Sequence, residues 1–466
     1  MQRRQLQCGV LACLVLGGCS PLSTTVATSL SNQPSGERSG AQTRVAAPGR
    51  VESAADTEVA AGLIGNGGGN LVSKNGGRPI DASMPAAGSM PASPPRETSI
   101  EAVQAQAGAL KAGSVDDNAD FEGYLRYRDE FRQRLSQSFR GQKPREAAVE
   151  GRRTIKVVDA DGKAIANAEV TVAPSAPSLQ SRIILTSSEP ITRLRTYADG
   201  RASYHADTQA QIASYQVTVK RGAAETSKTF DSKDKDWVIT LQDVPQKLDS
   251  IQLDLAIVLD TTGSMGGEIN KFQATMGAIA TRIQELPQKP GVRYGLVAYR
   301  DQDDDYVTKH KDFTGDLPSF REALNQLEAS GGGDKPEDLE AGLSVVLNKL
   351  QWNENENALR LAVLVADAVP HTDYPQAVPY TMSMRQAAEK GIKLFPIGAS
   401  GLEAEGEYVM RQLAQWTMGQ YMFVTRGGDS KSGGGSVSAT VDQYREGRLD
   451  DIVVNLVQKE LNKFGK

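Results

Sequence analysis

Hydrophobic and polar positions fall into four regimes along the chain. Residues 20–113 show no period at all: they are rich in Ser, Gly, Ala, Asn and Pro and almost free of aromatic side chains. Such a stretch buries too little apolar surface to offset chain entropy, so it reads as a disordered tether. A flexible coil of that length has a root-mean-square reach of about 50 Å. The pattern then turns helical, with Phe121, Tyr124, Leu125, Arg128, Phe131 and Leu135 on one stripe behind the capping run Asp116-Asp117-Asn118. One amphipathic helix within residues 116–150 follows, suited to docking on a neighbouring domain. From 154 to 244 the period drops to two, in Ile155-Lys156-Val157-Val158, Glu169-Val170-Thr171-Val172, Gln216-Val217-Thr218-Val219 and Val238-Ile239-Thr240-Leu241. With turn dipeptides Asp161-Gly162 and Asp199-Gly200 between them, these runs predict a small antiparallel β-sandwich.

After residue 250 apolar runs alternate with helical patterns. Strands are expected at 253–259, 294–299, 359–366, 392–397 and 421–424, and helices at 271–286, 317–327, 338–350 and 380–390. That alternation predicts an α/β fold with a doubly wound, mostly parallel sheet. Residues 427–435 read as a glycine loop. Leu449, Ile452, Val453, Leu456, Val457 and Leu461 then place a last helix against the sheet. The expected organisation is a leader over 1–18, a linker over 19–115, the helical segment 116–150, the sandwich 151–248 and the α/β domain 249–466.

At 466 residues the chain has room for two or three cores. Its net charge of −5, with basic and acidic residues nearly balanced, gives no nucleic-acid footprint and no polybasic membrane patch. All three cysteines, Cys8, Cys13 and Cys19, lie in the first twenty residues. Arg3 and Arg4 precede a short apolar run, 11–16, in the layout of a secretory signal and too short for a membrane span. Its end, Leu16-Gly17-Gly18-Cys19, resembles the bacterial lipobox. The resemblance implies cleavage before Cys19, acylation of its thiol, and a lipoprotein of the bacterial envelope. Ser20 after the cysteine favours the outer membrane. An ordinary signal peptide with incidental cysteines is the alternative.

The chemistry concentrates where the first strand of the α/β region ends, at Asp260-Thr261-Thr262-Gly263-Ser264. One carboxylate and two hydroxyls at the carboxyl edge of a buried strand offer hard oxygen donors to a divalent cation, Mg²⁺ or Mn²⁺ before Ca²⁺. Asp260, Thr262 and Ser264 match the Asp-x-Ser/Thr-x-Ser signature of von Willebrand factor type A domains, which the region from about 253 to 425 resembles. In that family the signature forms a metal-ion-dependent adhesion site, and Asp367, after Leu364-Val365-Ala366, stands where the family keeps a second carboxylate. The family's middle-loop Thr is missing from Gly331-Gly332-Gly333-Asp334-Lys335-Pro336-Glu337. If Asp334 replaces it, three carboxylates face one cation. The site would then hold metal tightly and attract an external carboxylate weakly. The stretch 158–170 resembles the start of carboxypeptidase-regulatory-like or immunoglobulin-like bacterial domains, whose role is spacing or binding.

The resemblance implies a non-enzymatic module that binds a protein ligand through the cation, with envelope scaffolding around a structural metal as the alternative. Thr262 and Ser264 could instead merely cap the next helix. The glycines near 263 do not form Gly-x-Gly-x-x-Gly. His205, His310 and His371 lack zinc spacing, and Gly398-Ala399-Ser400-Gly401-Leu402 lacks the last glycine of a nucleophile elbow. The acidic run Asp301-Gln302-Asp303-Asp304-Asp305, with Asp312 at its twelfth position, imitates a calcium loop but has Tyr306 where the turn needs Gly. His371, four positions after Asp367 across Pro370, reads either as lining the rim of the site or as a loop residue with no role.

Overall fold

A computed structural model describes residues 110–138, 142–175, 191–244, 250–333, 335–425, 440–441 and 444–464. The leader, Cys19, nearly all of the tether, Asp334 and the glycine loop lie outside the described residues.

An eight-stranded sheet forms the larger layer system. Its parallel centre is β9 (Gln252–Asp260), β10 (Gly291–Tyr299), β12 (Ala358–Ala366), β13 (Ile392–Gly398) and β14 (Tyr421–Thr425). These strands are near-continuous apolar runs because both faces are covered, as an all-parallel arrangement requires. In β9 every residue from Leu253 onward is buried, and in β12 every residue is. The covering helices are α2 (Ile269–Gln284), α3 (Leu317–Asn325), α4 (Leu339–Asn348), α5 (Tyr380–Lys390), α6 (Ala404–Trp416) and α7 (Leu449–Lys463), numbered after α1 (Phe121–Ser138). One side buries Phe272, Met276, Ile279, Val453 and Val457; the other buries Leu343, Val346, Met384, Val409 and Leu413. The doubly wound, mostly parallel sheet is therefore present as expected.

The linker does not run free to residue 115. Lys111–Val115 forms β1, antiparallel to β14 with Lys111 opposite Thr425 and Val115 opposite Tyr421, and β1 in turn pairs with β15 (Gly447–Arg448). The closure needs Gly113: a β-carbon there would lie 2.5 Å from the Phe423 ring. The α/β domain thus begins upstream of the sandwich and resumes after it. Helix α1 keeps this first piece in place. Phe131 stacks on Tyr408 of α6 at 4.1 Å, and Asp117 forms a two-pronged ion pair with Arg411 at 2.6 and 2.9 Å. The helix packs on a neighbouring domain, as its pattern suggested.

The sandwich is two sheets: β5 (Arg201–His205), β2 (Arg152–Val158), β8 (Asp236–Thr240); and β4 (Thr192–Arg195), β3 (Glu169–Pro174), β6 (Ser214–Arg221), β7 (Ala224–Asp231). It is not wholly antiparallel, because β2 and β8 run parallel. Val157, Val170, Val217 and Trp237 fill its core.

The sandwich meets the α/β domain at the amino ends of the parallel strands. Asn167, held at φ +58, donates to the carbonyls of Glu356 (2.9 Å) and Ala358 (2.6 Å) and accepts from Arg360 (2.8 Å). Nearby, Lys393 is buried against Glu460 at 2.8 Å. Nine residues of β9 separate this seam from Asp260, on the order of 25 Å.

Candidate functional site

The carboxyl ends of β9 and β12 bring Asp260 and Asp367 together with the hydroxyls between them. Asp260 Oδ1 accepts from the Thr262 amide (2.9 Å) and hydroxyl (2.7 Å); Thr262 Oγ1 lies 3.2 Å from Ser264 Oγ; Ser264 donates to Asp367 Oδ1 at 3.0 Å. Four residues separated by up to 107 positions thereby form one continuous row of oxygens. Neither hydroxyl caps the short 3-10 turn Gly263–Gly267: the side chain of Thr262, its first flanking residue, makes no capping bond, and Ser264 turns to Asp367. The helix-capping alternative is thereby excluded for both.

A fifth group joins this row, and the sequence reading had not picked it. Glu337 is 3% exposed. Its amide donates to the Val369 carbonyl (3.1 Å) and its carbonyl accepts from the His371 amide (2.9 Å), which fixes the middle loop to the segment after Asp367. A β-carbon on Gly332 would sit 3.2 Å from Glu337 Oε1 and 3.4 Å from Thr262 Cβ, so the carboxylate and the threonine share one small space. The glycines serve that approach. Gly331, at φ +78, accepts from the Gly263 amide at 3.0 Å, and Gly332, at φ +67, donates to Asp304 at 2.9 Å. Asp334 lies outside the described residues.

The electrostatics are those of buried negative charge, with Lys335 as a nearby cation. Burial, then the charge of Asp367, pushes the Asp260 carboxyl up to about 7; burial, then the charge of Asp260, pushes Glu337 up to about 8. Asp367 is also raised, by burial, against the Ser264 hydrogen bond and the nearby charge of Lys335. Asp260 Oδ2 and Glu337 Oε2 are buried without a well-formed hydrogen bond, although the Tyr299 hydroxyl lies beside the Asp260 carboxylate and the Thr262 hydroxyl beside that of Glu337. A buried acceptor without a good hydrogen bond costs roughly 1–3 kcal/mol. Among the described residues no three His, Cys, Asp or Glu side chains gather as a metal cage by themselves. The donors here are mixed carboxylate and hydroxyl oxygen, the set that suits a hard divalent ion.

The acidic run after β10 has a different role from a calcium loop. Asp304 holds the Gly332 amide, and Asp301 accepts from the Tyr374 hydroxyl at 2.7 Å. Asp312 lies within β11 (Thr308–Thr314) and accepts from the Gln351 amide at 2.8 Å. The run buttresses the site rather than forming a second one. His371 is buried, stacked on Tyr374 at 4.1 Å with its Nδ1 2.8 Å from Asp373. His205 and His310 lie elsewhere, on β5 and β11.

Residues 254–354 match the family model of the von Willebrand factor A domain. The chain is 41% identical over 93 residues to von Willebrand factor A domain-containing protein 7 of Mus musculus, covering 20% of this chain and 10% of that protein. It is 24% identical over 157 residues to alpha-protein kinase vwkA of Dictyostelium discoideum, covering 33% and 24%. Among solved structures, BatB of Bacteroides thetaiotaomicron aligns with 45% of this chain and 99% of its own, at 14% identity and a TM-score of 0.32. The chain spans about a tenth of the length of the first of these relatives. With Asp260, Thr262, Ser264 and Asp367 at the carboxyl edge of a doubly wound sheet, the chain carries a von Willebrand factor A domain.

Proposed function

We propose that this domain grips a protein partner through a divalent cation held by Asp260, Thr262, Ser264 and Asp367, with the Glu337 carboxylate beside them, and that it acts without catalysing a reaction. The observation that carries the reading is the row of linked oxygens running from the buried Asp260 through Thr262 and Ser264 to Asp367. Domains of this family typically mediate protein interaction or adhesion. When bound, Mg²⁺ or Mn²⁺ would offer an open position that attracts a partner's carboxylate. The chain's own residues do the rest: the hydroxyls orient the carboxylates, the turn at Gly331 and Gly332 admits Glu337, and Asp304 holds that turn. We further propose an envelope lipoprotein anchored through acylated Cys19, its A domain carried away from the membrane by the long tether.

A second reading draws support from the carboxylate count. Asp260, Asp367 and Glu337 together carry more negative charge than a divalent ion neutralises, which favours a firmly held ion that orders the loops of a scaffold. Calorimetric titration of Mg²⁺ into the chain and into Asp260→Ala tests the site itself; no heat with the unaltered chain refutes it. Capture of carboxylate-bearing peptides on immobilised chain, with Mg²⁺ or with EDTA, separates gripping from scaffolding: EDTA-sensitive capture supports the first, capture indifferent to EDTA the second. Mass spectrometry of the amino-terminal peptide tests acylation of Cys19.

A further inference from the structure

Between α1 and the sandwich the chain crosses the face of the A domain as a strap, residues 142–149, and one arginine in it reaches the loops that carry the site. Arg145 Nη1 donates to Glu340 Oε1 at 2.5 Å, and its Nη2 donates to the Thr372 carbonyl at 2.5 Å. Its own carbonyl accepts from the Tyr380 hydroxyl and from Gln412 Nε2. Thr372 Oγ1 donates onward to Gln142 at 3.0 Å. Arg145 therefore touches α4, α5, α6 and the loop after Asp367.

Both of its side-chain partners sit next to site residues. Glu340 is fully buried at the first turn of α4, three positions after Glu337, where its Oε1 also accepts from the Tyr380 amide at 2.9 Å. Thr372 follows His371, whose amide is bonded to the Glu337 carbonyl. One guanidinium thus spans the two chain segments whose mutual pairing sets the position of Glu337. A planar fork with two fixed donor directions suits that task better than an ammonium on a flexible stem.

We infer that Arg145 is a positioning residue of the cation site: it holds the Glu337 turn against the Asp367 loop from outside the A-domain segment itself. This rests on the metal reading proposed above. It follows that the site is not fully built by residues 250–466.

The test uses the full chain with Arg145→Ala, Arg145→Lys and the pair Arg145→Ala/Glu340→Gln, the last removing the charge that the first leaves buried and unmatched. Without metal, amide exchange at Glu337 and His371 is expected to quicken at least tenfold in Arg145→Ala, with the amides of β9 and β12 unchanged. Mn²⁺ affinity is expected to fall about tenfold in Arg145→Ala and less in Arg145→Lys. The paired variant should recover the melting temperature but not the affinity. A paired variant that binds Mn²⁺ like the unaltered chain, or unchanged exchange at Glu337 and His371, overturns the inference. An unaltered chain that binds no Mn²⁺ overturns the metal reading as well, and is recognised by that reading's own failure in the control.

Discussion

The two ends of the parallel strands bury polar groups in opposite ways. At the amino ends, positive meets negative or carbonyl: Arg360 reaches Asn167 and the Asn353 carbonyl, Lys393 reaches Glu460, and Arg293 grips Asp254 with two bonds of 2.7 and 2.8 Å. At the carboxyl ends negative meets negative, and Asp260, Glu337 and Asp367 all have raised carboxyl pKa values. Of these groups, Asn167 ties the sandwich to the A domain, while the Lys393–Glu460 and Arg293–Asp254 pairs lie within the A domain. Unmatched burial marks the site, because selection for stability alone would have removed it.

The sharpest way to break that comparison is to remove a charge from each end. Asp260→Ala is expected to lower Mg²⁺ affinity more than 100-fold by calorimetry, while leaving the metal-free melting temperature unchanged or higher, since it relieves like-charge burial. At the opposite end, Asn167→Ala should cost about 3 kcal/mol in denaturant unfolding, because it strands Arg360 and two strand-end carbonyls. Its effect on Mg²⁺ affinity should stay within twofold. Equal effects of both changes on affinity and stability would dissolve the distinction.

How far the sequence displays these regions depends on whether each residue's task is local. The parallel strands are legible because burial on both faces leaves uninterrupted apolar runs, and Asp260 and Asp367 because they end such runs. Helix α6 left no such trace. From Gly406 to Trp416 it is buried all round, under α1 as well as on the sheet, so Arg411 and Gln412 interrupt any apolar stripe while paired with Asp117 and Ala147. Strand β1 is five residues of small and polar type, recognisable only through its partner β14. β11, an edge strand reading Thr-Lys-His-Lys-Asp-Phe-Thr, is polar because one side faces solvent. Glu337 was hidden for the same reason as β1: its burial comes from contacts with Val369 and His371, which no spacing within its own loop reveals.

That hidden residue gives the next test in size. Glu337→Thr replaces one of the raised carboxylates with a hydroxyl. Mg²⁺ affinity is expected to fall about tenfold, and capture of a carboxylate ligand, measured at saturating Mg²⁺, to rise. Asp334→Thr is expected to change affinity less than Glu337→Thr; the reverse order would return the third carboxylate to Asp334.

The smallest effect tests the seam through its one unusual histidine. His205 stacks on Trp416 of α6 at 3.9 Å, with its Nε2 3.1 Å from the Ser203 hydroxyl. Desolvation there, then the charges of Arg152 and Arg385, push its imidazole down to about 3. A folded-state pKa below the unfolded value means the unfolded chain binds the proton more readily. The stabilisation is therefore complete above about pH 6.5 and is lost as pH falls through the window toward 3. Replacing His205 with Gln removes that proton uptake. Chemical unfolding between pH 7 and 4.5 should show the unaltered chain losing about 1 kcal/mol more than His205→Gln, because the ring is only partly enclosed and solvent screens it. The carboxylates at the other end act with the opposite sign: raised in the folded state, they make the metal-free chain less stable as pH rises from about 4 toward 8. Saturating Mg²⁺ should flatten the carboxylate limb and leave the histidine limb untouched, so a cation that shifts both limbs would show the two ends to be one coupled unit.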